Sequence, residues 1–170
     1  TASAKSHHSW LTGTNLGSGS IQSFHYVCGS DGIYQLIPEK ERAYHTGTNS
    51  NSSGTYDSVA LDVKNSNAIG IEICVNGFPA TASFSGEQWN TDAMYSWYTD
   101  YFATRTDYAA VLAASVLVRN GFDPNTRCVQ HYSVNGKNCP MQMRYVFGTA
   151  GTSGYSGGTN SGHFTKMGTY

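Results

Sequence analysis

Charged residues are scarce in this sequence, and neither sign dominates. Lysine, arginine, aspartate and glutamate make up 12% of the 170 residues, against roughly 25% in a typical globular protein. The 10 basic and 11 acidic residues give a formal net charge of -1. A charge-rich disordered chain is therefore excluded, and the sequence lacks the excess of basic residues that nucleic-acid binding requires. The length fits one domain with a sizeable buried core.

Long apolar runs and cysteines are also scarce. No stretch approaches the roughly 18 consecutive apolar residues of a membrane span, and no signal peptide is visible at the start of the chain. The 4 cysteines are too few for a disulfide scaffold. Cys28, Cys74 and Cys128 lie in apolar runs and are predicted to be buried small hydrophobic side chains. Cys139 differs, because it lies in the polar segment NGKNCP.

The order of helix and strand patterns indicates the α/β class. The predicted elements are a helix over 2–11, strands over 21–28 and from Gly32 onward, a strand over 67–76, helices over 87–105 and 108–119, and a strand over 127–134. The Asp31-Gly32 pair predicts a hairpin turn. We expect one domain over 1–147, with a central mixed β-sheet flanked by helices, and a Gly/Ser/Thr-rich loop or tail over 148–170.

His131 and Cys139, in the segment HYSVNGKNCP, form the strongest chemical pattern. Imidazole and thiolate are suitable Zn²⁺ ligands, and both can reach one ion if the intervening turn folds back. One alternative is a surface histidine and a loop cysteine that never meet. Another is a metal-free thiol hydrolase, which would need the two side chains within hydrogen-bond reach.

Glu72 stands between Ile71 and Ile73 in an apolar strand. A buried carboxylate is unfavourable unless it is paired or bound to a metal, which points to a functional role. Strand alternation offers the other interpretation, with Glu72 facing solvent and the two isoleucines facing the core. Lys137, close before Cys139, either stabilises an oxyanion or is an ordinary solvated lysine.

The histidines outside this pattern are less specific. His45 follows the predicted hairpin, where it either lines a groove or caps a turn. His25 lies among aromatic residues in a predicted strand, which favours a hydrogen-bonded core histidine. His7 and His8 are adjacent on the predicted first helix, so they cannot both face one point.

Four segments together resemble the type 2 N-acetylmuramoyl-L-alanine amidases, the zinc amidases of phage endolysins and bacterial autolysins, whose fold the peptidoglycan recognition proteins share. The segments are HHSWL, SFHYVCGSDGIYQLIPEKERAYHTG, NAIGIEICVN and GFDPNTRCVQHYSVNGKNCP. They span about residues 7–140 and occur in the family's order. The resemblance implies an amidase fold and hydrolysis of the amide bond between N-acetylmuramic acid and the L-alanine of the peptidoglycan stem peptide.

The resemblance also implies roles for particular residues. His131 and Cys139 match two zinc ligands, so the implied cofactor is zinc. Glu72 matches the carboxylate expected to act as general base on the zinc-bound water. Lys137 matches a lysine expected to help stabilise the tetrahedral oxyanion. The groove-edge segment of the family carries a histidine at the position of His45.

Tyr44 lies in the same segment, so the resemblance implies that both Tyr44 and His45 bind the substrate. Phe24 stands where some members carry a catalytic tyrosine, so that role is absent here. The implied partner is peptidoglycan, and neither nucleic acid nor a membrane is expected as a partner. The protein is expected to act as a monomer at the bacterial cell wall, which it reaches by secretion or after phage lysis. The alternative is a non-catalytic peptidoglycan-binding domain of the same fold.

One departure from the family concerns the first zinc ligand, a histidine that ends the first strand before the AKxH helix. Here the corresponding helix starts at Ala4, and no histidine precedes it. We expect that this strand lies before Thr1 and is missing, or that a neighbour such as His7 or His8 replaces the ligand. In the first case the fragment itself is expected to bind zinc weakly and to be inactive.

Overall fold

The computed structural model describes residues 3–12, 22–46, 63–75, 97 and 102–135. Its elements are the helix α1 (Ala4–Thr12), the strands β1 (Tyr26–Gly29), β2 (Gly32–Gln35) and β3 (Ile71–Ile73), and the helices α2 (Ala103–Asn120), α3 (Pro124–Arg127) and α4 (His131–Asn135). The predicted helix over 87–105 and the predicted tail over 148–170 lie largely or wholly outside these residues.

The three described strands form one mixed sheet in the order β2-β1-β3. The hairpin of β1 and β2 is antiparallel, with Tyr26 opposite Gln35, and β3 runs parallel to β1, with Val27 opposite Glu72. Gly32 has a φ of 123°, which a residue with a side chain rarely adopts, so the Asp-Gly turn signal is confirmed. The mixed sheet flanked by helices confirms the predicted α/β class, although each strand is shorter than its apolar run.

The two faces of the sheet bury different sets of residues. On one face Tyr26 and Cys28 pack with the α2 residues Ala109, Leu112 and Val116. On the other face Val27 and Cys74 pack with Ala4 at the start of α1. Helix α2 therefore covers one face and α1 the other, as strand alternation requires.

The cysteines are packing residues where the structure describes them. Cys28 and Cys74 are buried, free and directed to opposite faces of the sheet, and Cys128 is half-buried. Burial raises the pKa of the Cys28 thiol to about 12 and the pKa of the Cys74 thiol to about 11. Both thiols stay protonated at neutral pH, so the prediction of small hydrophobic residues is confirmed for this pair.

The first helix is fixed to the hairpin turn by a carboxylate. The Asp31 carboxylate accepts the backbone N–H groups of Ala4 (2.9 Å) and Lys5 (3.1 Å) at the start of α1. A side chain on Gly29 would lie 2.6 Å from the Ala4 nitrogen, so the helix approaches the strand closely because this residue is glycine. Although desolvation opposes the effect, these backbone donors lower the pKa of Asp31.

Helix α2 ends where the sequence predicts. Gly121 adopts a left-handed conformation with a φ of 68°, and its N–H bonds the Val118 carbonyl. Residues 108–119 are apolar at nearly every position, which predicts a helix buried on all sides. That prediction is wrong, because Val118 is 81% exposed and Val111 62% exposed. One flank of α2 packs on the sheet, and the opposite flank lies at the surface.

The predicted strand over 127–134 is wrong, because this segment lies in two short helices and a link between them. Pro124 begins α3 directly after Asp123, whose carbonyl accepts the N–H groups of Thr126 and Arg127. A proline in the first turn after an aspartate is a helix-start signal that outweighed the β-branched content. Both sides of β1 are also occupied, so no place beside that central strand remains.

Candidate active site

Glu72 lies in the end strand of the described sheet, on the face that α1 covers. The register places Tyr34 of β2, Val27 of β1 and Glu72 of β3 in one row across the strands. Glu72 is exposed, whereas Ile71 and Ile73 pack toward α2. The alternation expected for a solvent-facing carboxylate is therefore present. An exposed carboxylate on an end strand also remains within reach of a substrate, so the functional role stays a prediction.

The start of β3 is shaped around the His45 ring. A side chain on Gly70 would lie 2.7 Å from Cγ of His45, so the glycine of the NAIGIE segment makes room for this imidazole. His45 Nε2 lies 3.1 Å from the Ala68 carbonyl oxygen and donates to it. Burial, with smaller contributions from His25 and His131, lowers the pKa of His45, so the ring is neutral at pH 7 and its Nδ1 lone pair is an acceptor.

His25 has a structural role. It is 1% exposed, its Nε2 donates to the Glu41 carbonyl (3.0 Å), and its Nδ1 accepts the Gly70 N–H (3.0 Å). Both ring nitrogens are bonded to the backbone, which confirms the prediction of a core histidine. This ring and the His45 ring meet edge to face at 5.6 Å, so both histidines support the strand that carries Glu72.

Residues 42–46 form what we call the groove-edge segment, and Asn65 fixes its end. Asn65 Oδ1 accepts the His45 N–H (2.8 Å), the Thr46 N–H (2.8 Å) and the Thr46 hydroxyl (2.9 Å). Sequence reasoning missed Asn65, because an asparagine in the polar run KNSN has no feature that separates it from a turn residue. The geometry makes it the acceptor that sets the backbone course at His45.

Tyr44 lies in the middle of the groove-edge segment and is 46% exposed. Its backbone is tied on both sides, because its N–H donates to the Ser23 hydroxyl (2.9 Å) and its carbonyl accepts the Ser23 N–H (3.0 Å). The Arg42 guanidinium carbon lies 4.7 Å from the centre of the Tyr44 ring. The ring is thus presented to solvent on a fixed backbone.

His131 begins α4 and is linked to the groove-edge segment through Asn135. Asn135 Nδ2 lies 3.0 Å from His131 Nε2 and 2.9 Å from the Thr46 carbonyl oxygen. Because an amide nitrogen only donates, Nε2 accepts here and the imidazole proton resides on Nδ1. The helical turn makes this contact possible, since it brings residues four apart to the same side.

The metal prediction reaches beyond the part of the chain that the structure describes. Lys137 and Cys139 lie outside it, and the described residues contain no group of three metal-ligand side chains. The donor chemistry of His131 and Cys139 suits Zn²⁺. A metal-bound neutral imidazole has no lone pair left for Asn135, because Nε2 then binds the metal or carries the proton. Metal binding to His131 would therefore replace its hydrogen bond from Asn135.

The two histidines of α1 lie above the same sheet face as Glu72. The His7 ring lies 6.4 Å from the Phe24 ring, and the His8 ring lies 6.0 Å from the Tyr34 ring, measured between centroids. Tyr34 belongs to the cross-strand row that ends at Glu72. The replacement of the first zinc ligand by one of these histidines stays a prediction.

The comparison with known families gives the class of this protein. The Amidase_2 family of N-acetylmuramoyl-L-alanine amidases matches residues 1–142, and the chain belongs to this family. The resemblance seen in the four sequence segments is thereby confirmed. Among the described residues, no helix has the length and apolar character needed to cross a membrane.

A curated relative and a solved structure also resemble this chain. The N-acetylmuramoyl-L-alanine amidase CwlH of Bacillus subtilis (strain 168) is 27% identical over 142 residues, which cover 84% of this chain and 42% of CwlH. The chain thus spans less than half the length of this curated relative. Among solved structures, a mutant endolysin from Bacillus subtilis has a TM-score of 0.55 and 25% identity, with 84% of this chain and 68% of that chain covered.

Proposed function

We propose that this chain is the catalytic region of a zinc-dependent amidase that cleaves the bond between N-acetylmuramic acid and L-alanine in peptidoglycan. One observation carries the proposal: the family match over residues 1–142 includes every residue to which the resemblance gives a role. The relative CwlH is itself named for N-acetylmuramoyl-L-alanine amidase activity. The proposed place of action is the bacterial cell wall, with the protein acting as a monomer.

The described geometry supports a base at Glu72. Its carboxylate is exposed on β3, the end strand of the sheet as far as the structure describes it, and the start of that strand is held by His25 and His45. Glu72 takes a proton from the attacking water and returns it to the leaving amine. A zinc ion held by His131 and Cys139 would supply a water of lowered pKa and polarise the scissile carbonyl.

The remaining proposed residues act on the substrate. Lys137, two residues before Cys139, stabilises the oxyanion of the tetrahedral intermediate. His45 offers its Nδ1 lone pair to a substrate N–H or O–H, because its Nε2 is already bonded to Ala68. Tyr44 presents an exposed ring that packs against the substrate.

The test of the base is Glu72→Gln in the N-terminally extended chain, assayed on purified peptidoglycan. We expect release of stem peptides with a free L-alanine amine to fall by roughly 10²–10⁴-fold, the usual contribution of general-base catalysis. Zinc content and thermal stability should stay at the parent values. Asp107→Asn is the matched control, because Asp107 is an exposed carboxylate on α2 and should leave activity unchanged.

Two outcomes would contradict the proposal. Activity of Glu72→Gln within a few-fold of the parent would show that Glu72 is an ordinary surface residue. A parent chain that binds peptidoglycan with zinc present but releases no new amines, even when extended N-terminally, would favour the non-catalytic binding domain.

A further inference from the structure

The groove-edge segment presents an exposed cation whose guanidinium is held in place. The Arg42 Cζ atom lies 4.7 Å from the centre of the Tyr44 ring, within the range of a cation–π contact. Within the described residues Arg42 forms no ion pair, whereas Arg119 is paired with Glu39. The stacking contact covers one face of the guanidinium and leaves the N–H donors on its edges available to a ligand.

The support beneath this guanidinium is rigid. Tyr44 is bonded to Ser23 through both its N–H and its carbonyl, and the following residue is held by Asn65. Ala43, between the arginine and the tyrosine, is fully buried and anchors the segment from below. Little conformational freedom therefore remains to be lost in the backbone when a ligand meets the guanidinium.

The charge distribution selects the kind of ligand. The whole chain has a net charge of -1 and exerts no long-range attraction on an anion. An anionic group at this edge must then be bound by a particular cation. A planar guanidinium with free edges matches a carboxylate, which it binds through two parallel N–H···O bonds.

We infer that Arg42 is a specificity residue that binds a carboxylate of the stem peptide, with Tyr44 as the platform that orients it. This inference rests on the proposed function, which makes the stem peptide the ligand and Tyr44 and His45 its proposed binding residues. A stem peptide ends in a carboxylate unless that group is amidated or cross-linked. The chain therefore discriminates between free and modified stem peptides.

The test uses two probes and measures binding as well as cleavage. One probe is an N-acetylmuramoyl-L-alanyl peptide with free carboxylates, and the other is the same peptide with every carboxyl group amidated. We expect the parent to bind the first probe roughly fivefold more tightly at low salt, the upper range for a bidentate charge-assisted pair that is exposed to water. The ratio should fall as the ionic strength rises.

Three variants test whether the preference depends on the planar guanidinium of Arg42 or only on a positive charge. Arg42→Gln should bind both probes with the same affinity, while cleavage of the free probe shows a higher KM and an unchanged kcat. Arg42→Lys keeps the charge but loses the planar fork, and should lose most of the preference. Lys40→Gln removes an exposed charge from the neighbouring loop and should keep the parent preference.

The outcomes distinguish this inference from the proposed function. A parent that cleaves both probes but binds them equally, or an Arg42→Gln variant that keeps the parent preference, overturns the role of Arg42 and leaves the amidase function standing. An N-terminally extended chain that neither binds nor cleaves either probe overturns the proposed function, and this inference with it.

Discussion

Two polar networks hold this molecule together by different physical means. The first lies away from the candidate site and is ionic: Glu39 pairs with Arg119 at the end of α2 and accepts the Tyr26 hydroxyl at 2.7 Å. The second borders the site and is neutral, running from Asn65 through Thr46 to Asn135 and His131. The amide and hydroxyl groups from Asn65 to Asn135 carry no titrating charge, whereas the strength of an ionic network depends on pH.

The difference suits the two places. The ionic network ties the segment after β2 to the last turn of α2. Exposure to water weakens this ion pair, and small shifts of its side chains do not alter the candidate site. The neutral network fixes the groove-edge segment beside a proposed metal ligand. A carboxylate there would change the charge of the site, and amide groups position side chains without doing so.

The largest effect is expected from the centre of the neutral network. Asn65→Ala removes one oxygen that accepts three donors, and Thr46 is buried with 3% exposure. Each buried donor left without a partner costs about 1–3 kcal/mol, so we expect a loss of about 2–4 kcal/mol in the free energy of unfolding. Urea denaturation followed by circular dichroism measures it.

The matched control for that loss is Asn67→Ala. Asn67 Oδ1 accepts the Lys64 N–H in the same polar run, but Asn67 is exposed. Water can replace its bond, so we expect a loss below about 1 kcal/mol. Equal losses in the two variants would show that the three bonds at Asn65 have no special weight.

These networks mark the limit of prediction from the sequence. The hairpin, the parallel strand of Glu72 and the end of α2 at Gly121 follow from local patterns such as Asp-Gly turns and apolar periodicity. The short helix at His131 did not, because residues 127–134 have strand-like composition and α4 depends on contacts with distant residues. Asn135 bonds a carbonyl 89 positions away, which no local pattern encodes.

The same limit applies to the site. The residues that carry chemistry were visible because a carboxylate in an apolar strand and a histidine with a nearby cysteine are unusual. Asn65, Ser23 and Asn135 were not visible, because their residue types are ordinary in loops. The need for glycine at position 70 also became clear only from the structure, because a side chain there would collide with the His45 ring.

An intermediate effect, dependent on pH, is expected from the ionic network. The hydrogen bond and charge of Arg119, with the Tyr26 hydroxyl, lower the pKa of Glu39 to about 2 from its usual 4.5. A carboxyl group with a lowered folded-state pKa stabilises the fold above pH 4.5, and this contribution is lost as the pH falls toward 2. At pH 6 we expect Glu39→Gln to cost about 1 kcal/mol, the upper range of an exposed pair.

The measurement is urea denaturation of the parent and Glu39→Gln across that pH range. The difference between them should shrink toward zero near pH 2, whereas the loss caused by Asn65→Ala should stay constant. A Glu39→Gln difference that does not change with pH would mean that packing, and not charge, holds this network.

The smallest effect is expected at the end of the neutral network, where it meets the proposed metal ligand. Asn135 Nδ2 donates to the Nε2 lone pair of His131, so a zinc ion bound at that nitrogen would have to displace this donor. Removing the bond takes away about 0.5–1.5 kcal/mol that favours the metal-free state. Asn135→Ala should therefore bind Zn²⁺ a few-fold more tightly in competition with a chromophoric chelator, and Cys139→Ser, which loses a ligand, should bind it more weakly.

Asn120→Ala is the control for Asn135→Ala. Asn120 also donates to a backbone carbonyl and to a side chain, but it lies beside Glu39, so the zinc affinity of this variant should equal that of the parent. Weaker zinc binding by Asn135→Ala would reverse the interpretation, since Asn135 would then orient His131 for the metal instead of competing with it.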